Sequence, residues 1–330
     1  MRRLAIIAAV SLVALAGCAP AAPGDPDEGS VPPASDEDAR IDPVLTRDFP
    51  DPDVLKVGDE YFAYATNANL RNVQVAVSRD LVDWERLNDD ALPQLPSWVV
   101  PGKTWAPEVY SFEPDRFTMY ATATDAASGR QCIFRAVADD PRGPFDAADE
   151  GMLVCPVEDG GAIDAAVGVV DDAPYLIWKN DGNCCGVDTW LYASPLSDDG
   201  AELIGDPIPL IKQTLPWEGD LVEAPTLVQR DGALWLFYSA NGYGGDEYAV
   251  GLATAPGLEG PWQKQEEPLL STELFDGRIR GPGGQDLVTT PDGADVLLIH
   301  GWNRSYIARE LYLVELDWPA GGAPRVVVPD

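Results

Sequence analysis

Gly58-Asp59-Glu60-Tyr61-Phe62-Ala63-Tyr64 is a turn followed by an aromatic strand, and the pattern recurs. It returns as Pro114-Asp115-Arg116-Phe117-Thr118-Met119-Tyr120 and as Asp172-Ala173-Pro174-Tyr175-Leu176-Ile177-Trp178. Two further copies are Asp231-Gly232-Ala233-Leu234-Trp235-Leu236-Phe237-Tyr238 and Asp292-Gly293-Ala294-Asp295-Val296-Leu297-Leu298-Ile299-His300. These strands end at residues 64, 120, 178, 238 and 300, in steps of 56, 58, 60 and 62. Gly143-Pro144-Phe145 and Gly260-Pro261-Trp262 echo each other two steps apart. A period near 60 with several short strands per unit is propeller spacing. One such unit cannot bury both faces of its sheet, and packing neighbours around an axis solves that. Five copies therefore predict an all-β, five-bladed β-propeller over residues 41–330. The 31 Gly and 30 Pro suit a turn-rich chain, and no long amphipathic helical period follows residue 41. The segment just before each repeat strand becomes the innermost strand, so its polar residues converge on the axis.

The ends and the charge narrow the function. Met1-Arg2-Arg3 is a basic start, Leu4 to Ala16 is apolar, and Leu15-Ala16-Gly17-Cys18 closes the run. This is too short to span a bilayer and reads as a signal peptide over residues 1–17. Its ending resembles the bacterial lipoprotein box, which makes Cys18 the lipidated residue of an exported protein on the outer face of a bacterial membrane. Residues 18–40 lack aromatic residues and read as an acidic, disordered tether. The formal charge of −33 repels phosphate backbones, so nucleic acid is excluded as a partner. The membrane is met only through the anchor, and the protein is expected to be a monomer. Four cysteines remain after Cys18: Cys132, Cys155, Cys184 and Cys185. Cys132 with Cys155 is the evident disulfide, leaving Cys184-Cys185 as a vicinal bridge or two thiols, and the other pairings stay open. No CxxC spacing offers a zinc site.

With a single histidine, His300, a Ser-His-Asp or Cys-His site is excluded in practice, and hydrolytic chemistry falls to carboxylates. Three stand out from the acidic background. Asp51 lies in Phe49-Pro50-Asp51-Pro52-Asp53, where two prolines fix the backbone direction. Asp164 lies in Ile163-Asp164-Ala165-Ala166, and Glu223 in Leu221-Val222-Glu223-Ala224-Pro225. Taken alone, each has an ordinary explanation: an acidic turn, a turn cap, a half-buried strand residue. Together they occupy the same phase before repeat strands one, three and four, so all three point into one funnel. Burial at Glu223 would raise its carboxyl towards what a general acid needs.

The order Pro-Asp-Pro-Asp, Trp105-Ala106-Pro107-Glu108, Ile-Asp before Tyr-Leu-Ile-Trp, and Glu-Ala-Pro resembles glycoside hydrolase family 43. So does Ser78-Arg79-Asp80-Leu81-Val82-Asp83-Trp84, and the match runs over about residues 41–318. The resemblance implies a five-bladed propeller and an inverting mechanism. In it, Asp51 is the general base, Glu223 the general acid, and Asp164 the carboxylate that raises and orients the acid. Such a pair stands roughly 6.5–9.5 Å apart to admit a water. Phe49 and Trp105 match positions that wall a sugar pocket. Arg280, Gln285 and His300 are further candidates for substrate contact. Gly281-Pro282-Gly283-Gly284 resembles the family's Gly-x-Gly-His, whose His often holds an axial calcium. Here that position is Gly284, which leaves a calcium without that ligand; Gln285 or His300 then fills the axial space, and no cofactor is required. The implied substrate is plant polysaccharide containing arabinose or xylose, with α-L-arabinofuranosidase or arabinanase activity favoured over β-xylosidase. Two alternatives stay open: a retaining propeller glycosidase with Asp51 as nucleophile, and a non-catalytic sugar-binding surface propeller.

Overall fold

The computed structural model describes residues 41–147 and 151–328; the expected leader, Cys18 and the whole of the tether lie outside the described residues. The strands run in order as five antiparallel sheets. Blade I holds β1 (Asp53–Val57), β2 (Glu60–Ala65), β3 (Gln74–Ser78) and β4 (Glu85–Arg86). Blade II holds β5 (Val99–Glu113), β6 (Arg116–Asp125) and β7 (Gln131–Ala138). Blade III holds β8 (Ala162–Val170), β9 (Ala173–Asn180), β10 (Trp190–Pro195) and β11 (Ile208–Lys212). Blade IV holds β12 (Val222–Arg230), β13 (Ala233–Ala240), β14 (Ala249–Ala255) and β15 (Gln263–Lys264). Blade V holds β16 (Arg280–Thr289), β17 (Asp295–Trp302), β18 (Arg309–Asp317) and β19 (Arg325–Val327).

The repeated aromatic segments form β2, β6, β9, β13 and β17, the second strand of each blade. A tight corner precedes each of them. Between β12 and β13 it is Asp231-Gly232, with φ of 52° and 77°, and Arg230 pairs with Ala233 across it. Two positive φ values in a two-residue loop give the turn whose twist suits a hairpin. The innermost strands β1, β5, β8, β12 and β16 touch in ring order, and β1 meets β16 to complete the circle. The chain ahead of β1 also closes the ring. The Val44 N–H donates to the Leu311 carbonyl at 2.8 Å, and the Phe49 N–H donates to the Arg309 carbonyl at 2.8 Å.

Apolar packing explains why the blades stay together. A separate cluster fills each junction: Phe62 and Tyr64 with Met119 and Phe134 between I and II, and Tyr120 and Ile133 with Leu176 and Trp178 between II and III. Ile177 and Leu191 meet Leu227 and Leu236 between III and IV, and Phe237 and Leu252 meet Leu297 and Ile299 between IV and V. Leu298 and Leu311 meet Tyr61 and Ala63 between V and I. Each large side chain buried in this way contributes about 1.5–3 kcal/mol. Both Cys132–Cys155 and Cys184–Cys185 are disulfides, and the two Gly-Pro echoes, Gly143-Pro144 and Gly260-Pro261, are both cis.

Candidate active site

The innermost strands break register at one repeated place. The shift falls between Trp105 and Glu108, Ile163 and Ala166, Glu223 and Thr226, and Gly283 and Asp286. In these four strands the first bulged residue has positive φ, Ala106 40°, Asp164 55°, Ala224 46° and Gly284 55°, and Asp51, two residues ahead of β1, matches them at 55°. Aspartate and glycine enter this region more readily than most residues, and β-branched residues are nearly barred from it. The bulge turns the backbone so that side chains aim along the axis. All five strands then line one axial cavity of about 50 Å³, which has room for a water or two rather than a sugar ring.

Asp51 and Asp164 occupy this slot in blades I and III. Glu223 stands one residue earlier, beside Ala224. The equal phase read from the sequence is thus off by one residue for Glu223, because a bulge hidden inside each strand resets the count. Trp105 holds in blade II the position that Glu223 holds in blade IV.

Two residues past the slot come Asp53, Glu108, Ala166, Thr226 and Asp286, and polar side chains here bind adjacent blades. Asp53 accepts from the Val109 N–H at 2.9 Å, Glu108 from Val167 at 2.7 Å, and Asp286 from Val54 at 2.9 Å. Where blade III has Ala166, Asp164 takes over and accepts from the Ala224 N–H at 3.0 Å. Thr226 donates to the Gln285 carbonyl at 2.8 Å and completes the circle. Burial, with the neighbouring carboxylates, raises Asp53 well above the ordinary range and Glu108 to about 8. Burial also pushes Asp286 up to about 7.

Asp51 is treated differently. Burial alone would raise its carboxyl, but the Arg309 guanidinium at 3.2 Å and the Thr66 hydroxyl donating at 2.6 Å hold it below the usual range. Thr66 is itself fixed by the Ala106 N–H at 2.9 Å. The Asp51 N–H donates to His300 Nδ1 at 3.1 Å. Burial and nearby Arg309 lower the His300 pKa to about 3, so the ring is neutral.

Glu223 is 9% exposed and accepts from two donors: the Tyr248 hydroxyl at 2.8 Å and Lys179 Nζ at 2.9 Å. Asp164 is pushed up to about 8 by burial and then by the Glu223 charge, with Lys179 opposing. At neutral pH this carboxyl pair therefore keeps a proton, with burial and the neighbouring charge acting on the Asp164 side. Lys179, on a strand that showed no acidic or catalytic pattern, is the cation that faces this pair.

The other candidates separate into contacts and supports. Phe49 and His300 have no exposed surface. Phe49 packs in the V–I cluster and His300 stacks on Tyr248, so both support the site instead of walling a pocket. Gln285 lines the axial cavity and is tied to Ser239 and the Ala224 carbonyl. Arg280 Nη1 donates to the Tyr306 hydroxyl at 2.7 Å, beside an aromatic group of Trp302 and Tyr306. Arg309 carries this group to the site, its guanidinium lying 5.0 Å from the Tyr243 ring centre and 5.9 Å from that of Trp302. Trp105 is half-buried, with Lys103 Nζ 5.9 Å from its ring. Sequence reading passed over Lys179, Tyr248, Arg309 and Thr66. Glu108 was visible within a motif but without a role.

The Gly284 position supplies no side-chain ligand to the axis. A Cβ at Gly284 would lie 2.6 Å from His300 Nδ1, so His300, from the neighbouring strand, fills the room beside that position. Among the described residues no three His, Cys, Asp or Glu side chains are placed to hold a metal ion.

Comparisons with known proteins agree with this architecture. A solved thermostable family-43 glycoside hydrolase superposes with a TM-score of 0.75 at 30% identity, covering 88% of this chain and 96% of that one. An extracellular endo-α-(1→5)-L-arabinanase from Thermotoga petrophila is 34% identical over 109 residues, 29% of this chain and 22% of the relative. Alpha-L-arabinofuranosidase 43 of Humicola insolens is 26% identical over 250 residues, 69% of this chain and 50% of the relative. The chain thus spans half or less of the length of these two curated relatives. The profile of glycosyl hydrolases family 43 matches residues 41–324, and the chain belongs to that family.

Proposed function

We propose that this protein is an exported inverting glycosidase that removes or cuts arabinose- or xylose-linked units of plant polysaccharide. An α-L-arabinofuranosidase or arabinanase is favoured, in keeping with the names of the relatives above. Asp51 takes a proton from water as the water oxygen bonds to the anomeric carbon. Glu223 gives a proton to the glycosidic oxygen as the C–O bond breaks and its electron pair passes to that oxygen. Asp164 shares the acid's proton before the step. The observation that carries this reading is the opposite treatment of buried carboxyls. One is held ionised by Arg309 and Thr66, and another keeps a proton at neutral pH. Such divergence is how a site runs acid and base chemistry together. The axial cavity is too small for a sugar, so the sugar would sit above it, where Trp105, Tyr243 and Trp302 stand.

The test is a screen of the full chain on arabinan, arabinoxylan and xylo-oligosaccharides, with the anomer of the first product read by NMR. An inverted product is expected, and Asp51→Ala should lose about 10³-fold or more in kcat, within the range assigned to one acid–base group or slightly beyond. A retained anomer would instead make Asp51 a nucleophile. No turnover of any of these glycans would leave a sugar-binding propeller.

A further inference from the structure

We propose that Lys179 is a positioning residue whose buried ammonium, fixed on Glu223, makes the Asp164–Glu223 pair hold one proton and sets the pH at which that proton leaves. The proposal rests on the reading of Glu223 as the general acid.

The side chain of Lys179 is fully buried, with Nζ 2.9 Å from Glu223 Oε2 and 3.9 Å from Asp181 Oδ1. A buried lysine normally gives up its proton. Burial acts in that direction here, yet Glu223, Asp164 and Asp181 outweigh it and raise the ammonium's pKa. The charge is therefore retained where a neutral side chain would be far cheaper to bury.

The charges that face the pair balance. Asp51 is matched by Arg309. Asp181 is raised by burial, and its own cations are Lys179 and, further out, Arg130. His300 is neutral, and the Tyr248 phenol, raised by burial and by the three carboxyls around it, is neutral too. With Asp181 set against Arg130, Asp164 and Glu223 remain against the charge of Lys179. One ionised carboxyl and one protonated carboxyl make the group neutral. Without Lys179 the ionised member has no counter-ion in a site that excludes water, and the remaining proton becomes harder to remove. The effect grows along the reaction. Once Glu223 has given its proton to the leaving oxygen, two charged carboxylates face the same ammonium.

The experiment is the pH dependence of kcat/KM for the full chain, on whichever aryl arabinofuranoside or xyloside the wild type turns over. Lys179→Met and Lys179→Gln should move the basic limb upward by about 1–3 pH units, the size of effect an opposite charge at this range exerts. Lys179→Arg, which keeps the charge, should leave the limb within about half a unit of wild type, well short of that shift. Gln keeps hydrogen-bond donors and serves where the Met variant does not fold. An unmoved limb in either folded neutral variant overturns the proposal, as does an Arg variant that shifts as far as Met. Glu223→Gln tests the underlying reading separately. It should lose most of its rate on an alkyl glycoside and keep most of it on a glycoside of a strongly acidic phenol, which departs without a proton. Equal loss on both removes Glu223 as the acid, whatever the Lys179 variants show.

Discussion

Gly284→Ala is the substitution whose effect can be worked most fully from geometry. The residue has φ 55°, and a Cβ there would stand 2.6 Å from His300 Nδ1 and 3.2 Å from the Asp51 Cα. The left-handed backbone costs an alanine about 1–2 kcal/mol. Forcing a methyl into this packing costs about 1–3 kcal/mol more, since His300 is enclosed and cannot swing away. If the ring shifts, the Asp51 N–H loses its acceptor, for about 0.5–1.5 kcal/mol. The sum is about 2.5–6.5 kcal/mol, or a fall in Tm of roughly 4–11 °C for a domain of this size. Gly232→Ala is the control. It also has positive φ, 77°, but its Cβ would meet nothing within 4 Å. Only the backbone cost of about 1–2 kcal/mol remains there. Guanidinium and thermal unfolding of both variants give the difference between them, which is the packing cost alone. Because the clash reaches the Asp51 backbone, Gly284→Ala should also lower kcat/KM by on the order of 100-fold, while the control keeps it. Equal Tm values for the two variants, with wild-type kcat/KM for Gly284→Ala, would refute the account of His300 as a rigid support beneath Asp51.

Other outcomes follow from the same site. Asp286 and Glu108 have folded pKa values raised to about 7 and about 8, so the folded state binds more protons than the unfolded state above pH ~4. The contribution of these two groups to stability is full below the unfolded carboxyl range and falls as pH rises towards 8; urea midpoints from pH 4.5 to 8.5 should show this, with a flatter slope in Asp286→Asn. Arg309→Met removes a cation 3.2 Å from Asp51, so the acidic limb of kcat/KM should rise by about 1–2 pH units. A limb that stays put would mean that Asp51 is not the group titrating there. Tyr248→Phe keeps the ring stacked on His300 but removes the donor to Glu223, and stopped or continuous assays should show kcat reduced about 10-fold with KM little changed.

The repeat and the ring of five were legible because hairpins announce themselves locally. A turn plus an alternating aromatic strand is short-range information, and the spacing of such units needs no contact map. The three carboxylates were found for a related reason: prolines and small residues mark strands that must bend at the axis. What the sequence hid was long-range. Lys179 reads as the end of an apolar strand, and only the approach of blade IV shows that its ammonium meets Glu223. Arg309 lies 258 residues from Asp51, and Tyr248 lies 25 from Glu223, just ahead of β14. The bulge in each inner strand was also unreadable, because a register shift leaves no residue signature when its slot accepts Asp, Ala or Gly. That single unseen residue moved Glu223 out of the phase assigned to it. The carboxylates that link blades, Asp53, Glu108 and Asp286, looked like surplus acid in a chain of charge −33.

The order in which the ring closes has a consequence for when the protein can act. Asp51 emerges near the start of the propeller, while the groups that keep it ionised and support its backbone, Arg309 and His300, come from the last blade. During synthesis Glu223, Asp164 and Lys179 can meet as soon as two neighbouring blades have formed, but the base would still lack its guanidinium and its imidazole. A molecule nicked between β16 and β18 that shed its tail would keep half of the machinery and none of the turnover. Catalytic competence thus becomes a property of the finished circle.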